Sequence, residues 1–151
     1  MRALRPGDLL TAAGSAALLI ASFLPWYEPR GRTETVNAWQ AFSVTDVLLA
    51  AVVLLGLALA VSQVALRGPG LPVGVAVITA AVSIAGVLVI AFRLLDQPGP
   101  NDVIELRAGA WIGLAAALAT AAGAWMSLAD ERPRPSDPPA PAVERRPAPQ
   151  P

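Results

Sequence analysis

One stretch of the sequence limits the possible folds more than any other: residues 47–66 are twenty residues without a charged side chain. A helix of this length rises about 30 Å, which is the thickness of the hydrocarbon core of a bilayer. Asp46 precedes the stretch and Arg67 follows it, so each end carries the charge that suits the helix dipole. The stretch therefore predicts a membrane-spanning helix.

Three further apolar runs of similar length predict three more spans. Composition agrees, because 55% of the residues are hydrophobic and only 15% are charged, against about 25% charged in soluble domains. The predicted fold class is all-α, an antiparallel four-helix transmembrane bundle over residues 1–129 with a disordered Pro-rich tail over residues 130–151. The spans are predicted at residues 9–27, 47–66, 71–92 and 108–129.

The first outer connection, residues 28–45, is the longest in the predicted bundle. Val36, Trp39 and Phe42 recur in it every three residues, a spacing that places them on one face of a short interfacial helix. Trp39 lies within a polar loop, so it is either a membrane anchor or a contact for a partner. Trp26 and Tyr27 directly follow the first span, and we expect them to anchor the protein at the membrane–water interface.

The second outer connection ends with residues 101–107, which we expect to form the first turn of the last helix. The tail contains eight prolines and too little apolar surface to fold. Four spans place both termini on one side of the membrane. Arginines near the spans are slightly more numerous on that side, which predicts cytoplasmic N and C termini.

The last predicted span carries a strip of small residues at four-residue spacing, which lets another helix approach closely. The strip serves either packing within the bundle or dimerisation. It consists of Gly109, Gly113, Ala117 and Ala121. The candidate partner or helix-packing contacts are Trp39, Phe42, Gly109 and Gly113.

The residue types that the chain lacks exclude several kinds of chemistry. It has no His, Cys or Lys, which excludes disulfides, zinc sites of the usual kind, Ser-His triads and Schiff bases. No predicted span contains a charge, which argues against ion-coupled transport. The net charge is zero, which gives no reason to expect nucleic acid. We predict that the protein is not an enzyme, with no catalytic residue, cofactor or metal.

Three segments and the start of the last span resemble a known group of proteins. The segments are Phe23–Tyr27, Ala38–Asp46 and Arg93–Gly99, and the last span begins Gly-Ala-Trp-Ile-Gly. Over Leu9 to Asp130 the chain resembles an uncharacterised family of small four-span integral membrane proteins of high-GC actinobacteria. Its all-Arg, Ala- and Pro-rich composition agrees with a high-GC source. The resemblance implies four spans and the plasma membrane but no activity. The long first outer loop with its Trp also resembles claudin-like proteins, although their cysteine pair is missing here.

These observations favour a non-enzymatic role. The leading hypothesis is an accessory or scaffold component of the cell envelope, which contacts the lipid bilayer and either a membrane protein partner or further copies of itself. The alternative is a small oligomeric transporter or channel for an uncharged or lipid-like solute.

Overall fold

A computed structural model describes residues 5–31, 33–41, 45–65, 70–97 and 102–130. The all-α class is confirmed, with two strands of three residues added among the described residues. Phe42 and the predicted tail beyond Asp130 lie outside those residues. The elements are α1 (Pro6–Ser22), β1 (Tyr27–Pro29), α2 (Ala38–Ala41), α3 (Thr45–Ala65), α4 (Gly70–Leu95), β2 (Ile104–Leu106) and α5 (Ala108–Asp130).

Two of the described helices are long and apolar enough to cross a membrane. They are Gly74–Leu95, with a mean hydropathy of 2.7, and Ala108–Asp130, with a mean hydropathy of 1.6. Pro6–Ser22 and Val47–Leu59 are shorter apolar helical stretches. The structure thus supports membrane association through α4 and α5, and the crossing of all four long helices stays a prediction.

The four long helices form a closed square. Helix α1 packs against α3 and α5, and α4 packs against the same two helices. The α1–α5 interface is the most extensive of the four. These two helices are antiparallel, because Gly7 at the start of α1 lies against Ser127 at the end of α5.

Glycines let the backbones of α1 and α5 touch. A Cβ atom on Gly14 would lie 2.6 Å from the backbone N of Thr120, and a Cβ on Gly7 would lie 2.7 Å from that of Ser127. Real Cβ atoms do not approach a backbone so closely, so these positions require glycine. The hydroxyl of Thr120 donates to the carbonyl of Ala116 in its own helix (2.9 Å), which satisfies a polar group within this interface.

Helix α1 begins earlier than residue 9, where the span was predicted to start. Pro6 occupies the first turn, where its missing N–H has no helical partner to lose. The carboxylate of Asp8 accepts a hydrogen bond from the backbone N–H of Arg5 (3.1 Å) and another from the hydroxyl of Ser127 in α5 (2.7 Å). Asp8 is therefore buried between α1 and α5.

Helix α1 also ends earlier than the predicted residue 27. Pro25 disfavours helical backbone at Leu24, and the helix stops at Ser22. The chain then becomes extended, so Tyr27 begins a strand and does not end a span. The end of the first span was predicted too late, because the residues after Ser22 are as apolar as the helix before them and apolar character alone does not mark where the helix ends.

The second connection forms a strand where a helical turn was predicted. Strand β2 pairs with β1 in antiparallel register, with Tyr27 opposite Leu106 and Glu28 opposite Glu105. Val36 extends the sheet through a bridge to the other side of Tyr27. Strand β2 forms because β1, which is distant in sequence, supplies its hydrogen-bond partners. Local sequence patterns do not indicate such distant partners.

The α1–α5 contact predicts opposite outcomes for two glycine substitutions. In Gly123→Ala, the new Cβ would lie 2.8 Å from the carbonyl oxygen of Gly7 and closer still to the backbone N of Thr11. We expect a loss of about 1–3 kcal/mol in the free energy of unfolding, because backbone cannot move aside as a side chain would. Denaturation of the detergent-solubilised protein, followed by circular dichroism, measures the loss.

The matched control is Gly74→Ala in α4, where an added Cβ meets no atom within 4 Å. It should stabilise the protein by about 0.5–1 kcal/mol, because alanine is the better helix former. Equal stability of the two variants would contradict the close α1–α5 packing.

Candidate functional site: the cap

Parts of the two long connections join into one structure at the end of the bundle where α1 finishes and α5 starts. We call residues 23–31, 33–41 and 102–107 the cap. Its sheet is closed by backbone hydrogen bonds from Trp26 N–H to the carbonyl of Val36 (2.9 Å) and from Arg107 N–H to the carbonyl of Trp26 (2.8 Å). Trp26 therefore joins the two connections to each other, because it takes part in both hydrogen bonds.

Trp26 is buried in the bundle end. Its side chain is 0% exposed, and its indole Nε1 donates to the carbonyl of Ala21 (2.7 Å). The ring lies on Gly113, where an added Cβ would collide with it, and the carbonyl of Pro25 would collide with a Cβ on Gly109. The expectation that Trp26 anchors the protein at the membrane interface is wrong, because the two glycines leave a recess that takes the whole ring.

Tyr27 is buried beside Trp26 and was also expected at the interface. Its hydroxyl donates to the carbonyl of Arg93 at the end of α4 (3.1 Å). Burial raises the pKa of Tyr27 to about 12, and the positive charge of Arg93 opposes this only in part. The phenol thus stays protonated at physiological pH and keeps the hydrogen bond that joins the sheet to α4.

Helix α2 is a single turn that begins with a capping box. The backbone N–H of Asn37 donates to Gln40 Oε1 (3.1 Å), and the backbone N–H of Gln40 donates to Asn37 Oδ1 (3.0 Å). The spacing Asn37-x-x-Gln40 is a second sequence signal for this turn, besides the three-residue spacing from which a short helix was predicted.

The four candidate contact residues have different surroundings. Trp39 is half-buried, its Nε1 donates to the hydroxyl of Ser22 (2.8 Å), and its ring centroid lies 6.0 Å from that of Phe23. Gly109 and Gly113 lie beneath Trp26 within the same chain. Phe42 is outside the described residues. The structure thus brings Gly109 and Gly113 together with Trp26, a residue that was not among the candidates.

An ion-pair cluster covers the exposed face of the sheet. Glu28 Oε2 lies 2.7 Å from Arg107 Nη2, and Arg30 Nε lies 3.2 Å from Glu105 Oε1. Glu105 also approaches Arg107 at 3.9 Å. The hydrogen bond and charge of Glu28 raise the pKa of Arg107 further. Because the cluster is solvent-exposed, its contribution to stability is small, and its main effect is to fix the orientation of these charged groups.

Two cavities flank the sheet. The Tyr27 cavity has a volume of about 250 Å³, and the Arg107 cleft has a volume of about 290 Å³. The first is lined by Tyr27, Pro29, Val36, Gln40, Ala41 and Ile104. The second is lined by Leu24, Pro25, Glu28, Thr35, Arg107, Ala108 and Gly109.

The two cavities of the cap combine apolar walls with few polar groups. Among the described residues, no group of three or more acidic side chains lies where it could hold a metal ion.

Comparisons of this chain with protein-family models, curated protein sequences and solved structures give no match. The resemblance to the actinobacterial four-span family therefore stays a prediction.

The burial of Trp26 predicts that it holds the cap to the bundle. Trp26→Ala should cost about 3–5 kcal/mol and should speed hydrogen exchange in β1 and β2, because both strands bond to its backbone or its neighbours. The matched control is Trp111→Ala, whose side chain is 57% exposed and whose loss should leave exchange in the strands unchanged. If both variants exchange equally fast, Trp26 does not hold the cap.

Proposed function

We propose that the protein is a multi-pass component of the plasma membrane in which α1, α3, α4 and α5 all cross the bilayer. The length and hydropathy of α4 and α5 support two of the crossings. Helices α1 and α3 have 17 and 21 residues, which correspond to about 25 and 30 Å of rise. The shorter of these lies at the lower limit for a span.

The observation that carries this placement is the distribution of polar and apolar side chains in the bundle. Beside apolar residues such as Leu18 and Ile90, the interior holds hydroxyl side chains of α1, α4 and α5 that are at most 2% exposed, whereas large apolar side chains cover the outside of all four helices. A protein surrounded by water shows the opposite preference. The buried hydroxyls are those of Thr11, Ser15, Ser22, Thr79, Ser83, Thr120 and Ser127.

Each long helix contributes to the apolar exterior. Ile20 of α1, Leu54 of α3, Leu88 of α4 and Leu118 of α5 are at least half exposed. In water such a surface would cause aggregation, but in lipid it is the normal exterior. Because α1 and α3 share it with α4 and α5, the same solvent surrounds all four helices.

The start of α1 and the end of α5 meet at the end of the bundle opposite the cap. Arg5 Nη1 donates to the carbonyl of Asp130 (3.3 Å), so the start of α1 lies beside the end of α5. Under the positive-inside rule we assign this end to the cytoplasm and the cap to the outer face.

Single-cysteine labelling tests this placement, because the chain has no native Cys. Glu105→Cys lies on the exposed face of the cap and Ala129→Cys on an exposed position at the other end. A membrane-impermeant maleimide should label the first in intact cells and the second only after permeabilisation. Labelling of both in intact cells, or of Ala129→Cys alone, would contradict the proposed orientation.

The proposed role is that of a non-enzymatic accessory or scaffold protein whose cap contacts another envelope component. Support comes from the construction of the cap: Trp26, Tyr27 and the ion pairs hold it in one conformation, and a preformed surface loses little entropy on binding. A membrane protein partner and a second copy of the chain both fit this role.

The alternative is an oligomeric transporter or channel for an uncharged or lipid-like solute. Two buried hydroxyls, Ser15 and Ser83, have no hydrogen-bond partner among the described residues, which is the observation in its favour. Ser15, however, packs directly against Gly56. Any solute path would therefore lie between copies of the chain and not along this contact.

Site-specific crosslinking tests the accessory role. A photo-crosslinking amino acid replaces Glu34, an exposed cap residue, and in the matched control it replaces Leu88, which is 65% exposed on α4. We expect Glu34 to yield one discrete protein adduct in native membranes and Leu88 to yield mainly lipid adducts. Gly113 is unsuitable for such a test, because any larger residue there displaces Trp26.

Mass spectrometry of the Glu34 adduct identifies the partner. If the chain is recovered without any protein adduct, the accessory role is wrong, and solute flux in liposomes containing only this protein becomes the decisive measurement.

A further inference from the structure

The Arg107 cleft lies where two helices end. Leu24 and Pro25 follow α1, and Ala108 and Gly109 begin α5. In the proposed membrane placement, on which this inference rests, these helix ends lie at the level of the outer lipid headgroups. Phe23 and Trp111, next to the cleft in sequence, are both exposed, as expected for side chains that contact lipid near that boundary.

The rim of the cleft presents one positive and one negative group side by side. Arg107 Nε and Nη2 both contact Glu28 Oε2, each at 2.7 Å. Arg107 Nη1 and Glu28 Oε1 make no hydrogen bond among the described residues. The ion pair therefore holds a guanidinium edge and a carboxylate oxygen in fixed positions, each with bonding capacity left.

The charges of the rim restrict which headgroup fits. A guanidinium edge suits a phosphate, and the spare carboxylate oxygen suits an ammonium. A headgroup with a phosphate alone would bring its charge close to Glu28 and Glu105, which repel it. The ligand that matches both groups carries a phosphate and a primary ammonium a few bonds apart.

We propose that the Arg107 cleft binds a zwitterionic phospholipid of the outer leaflet. Its phosphate contacts Arg107 Nη1, its ammonium contacts Glu28 Oε1, and the apolar wall formed by Leu24, Pro25 and Ala108 contacts the glycerol and the upper acyl chain. The N-terminal end of the α5 dipole adds a further attraction for the phosphate. The protein would thus recognise one class of lipid at the base of its cap.

Native mass spectrometry of the full chain, stripped of lipid in detergent, tests the proposal. The probes are phosphatidylethanolamine, phosphatidylglycerol and diacylglycerol with identical acyl chains. We expect phosphatidylethanolamine to bind at least about tenfold more tightly than either of the others, since each charged contact contributes about that factor. Equal retention of all three lipids would overturn the proposal.

Four variants locate the binding. Arg107→Gln and Glu28→Gln should each weaken phosphatidylethanolamine binding about tenfold, and Glu28→Gln should also remove the preference over phosphatidylglycerol. Ala108→Leu fills the cleft from an exposed position without touching the charges, and it should weaken binding of phosphatidylethanolamine. Arg30→Gln removes the other ion pair of the cap and is the matched control, with binding unchanged.

If Arg30→Gln weakens lipid binding as much as Arg107→Gln does, the effect of charge is not specific to the cleft, and the proposed site is wrong. The cysteine-labelling experiment does not depend on these variants. If the labelling agrees with the proposed orientation but the lipid does not bind in the cleft, only the lipid proposal is wrong. If the labelling disagrees, the membrane placement itself is wrong.

Discussion

The packing of one indole ring on two glycines determines how the rest of this protein is arranged. Trp26 fills the recess above Gly109 and Gly113, and its backbone bonds to both outer connections. The bundle end and the sheet therefore share one residue. Without that ring the first connection would lose a fully buried contact with α5. The backbone hydrogen bond from Gly109 to Pro25 and the hydrogen bonds of Trp39 and Tyr27 would remain, and exposed ion pairs contribute little.

In the proposed membrane placement, the interior of the bundle follows from a second constraint, which is that lipid gives helices no hydrophobic reason to associate. Close backbone approach and satisfied hydroxyls supply the attraction instead. Gly7, Gly14 and Gly123 permit that approach, and the bond from Thr79 of α4 to the carbonyl of Leu55 in α3 (3.3 Å) adds a polar link between neighbouring helices. The same residues would make a poor core in water, where burial of large apolar side chains provides the stability.

Much of the helical framework could be predicted from the sequence because uncharged length is a local property. The helix at residues 108–130 agrees with the predicted span to one residue, and α3 agrees to within two. The start of α1 was missed because the predicted span was limited to uncharged residues and so began after Asp8. It is buried because its partners, the backbone of Arg5 and the hydroxyl of Ser127, include a residue from the far end of the chain.

The cap could not be predicted in the same way, because its parts are held by non-local contacts. The ion pair of Glu28 with Arg107 joins residues 79 positions apart, and neither residue alone differs from an ordinary surface charge. The strip at Gly109 and Gly113 was found from its spacing. Whether such a strip receives a helix or a single aromatic ring depends on what the fold places above it, which spacing does not specify. Trp26 was misjudged for the complementary reason, since a Trp after a span is typical of an interface.

The pairing of α1 with α5 has a consequence for how the chain is made. The most extensive helix interface joins the first long helix to the last, so it cannot form until α5 has left the ribosome. In the proposed membrane placement, Gly7, Thr11 and Gly14 of α1 face lipid until then, without the α5 backbone on which they pack. Because this interface forms so late, folding is slow, and the intermediates expose a surface of α1 to which other helices can bind. Biogenesis of this protein should therefore be limited by the arrival of α5, and truncation before α5 should leave α1 open to mispairing with other membrane proteins.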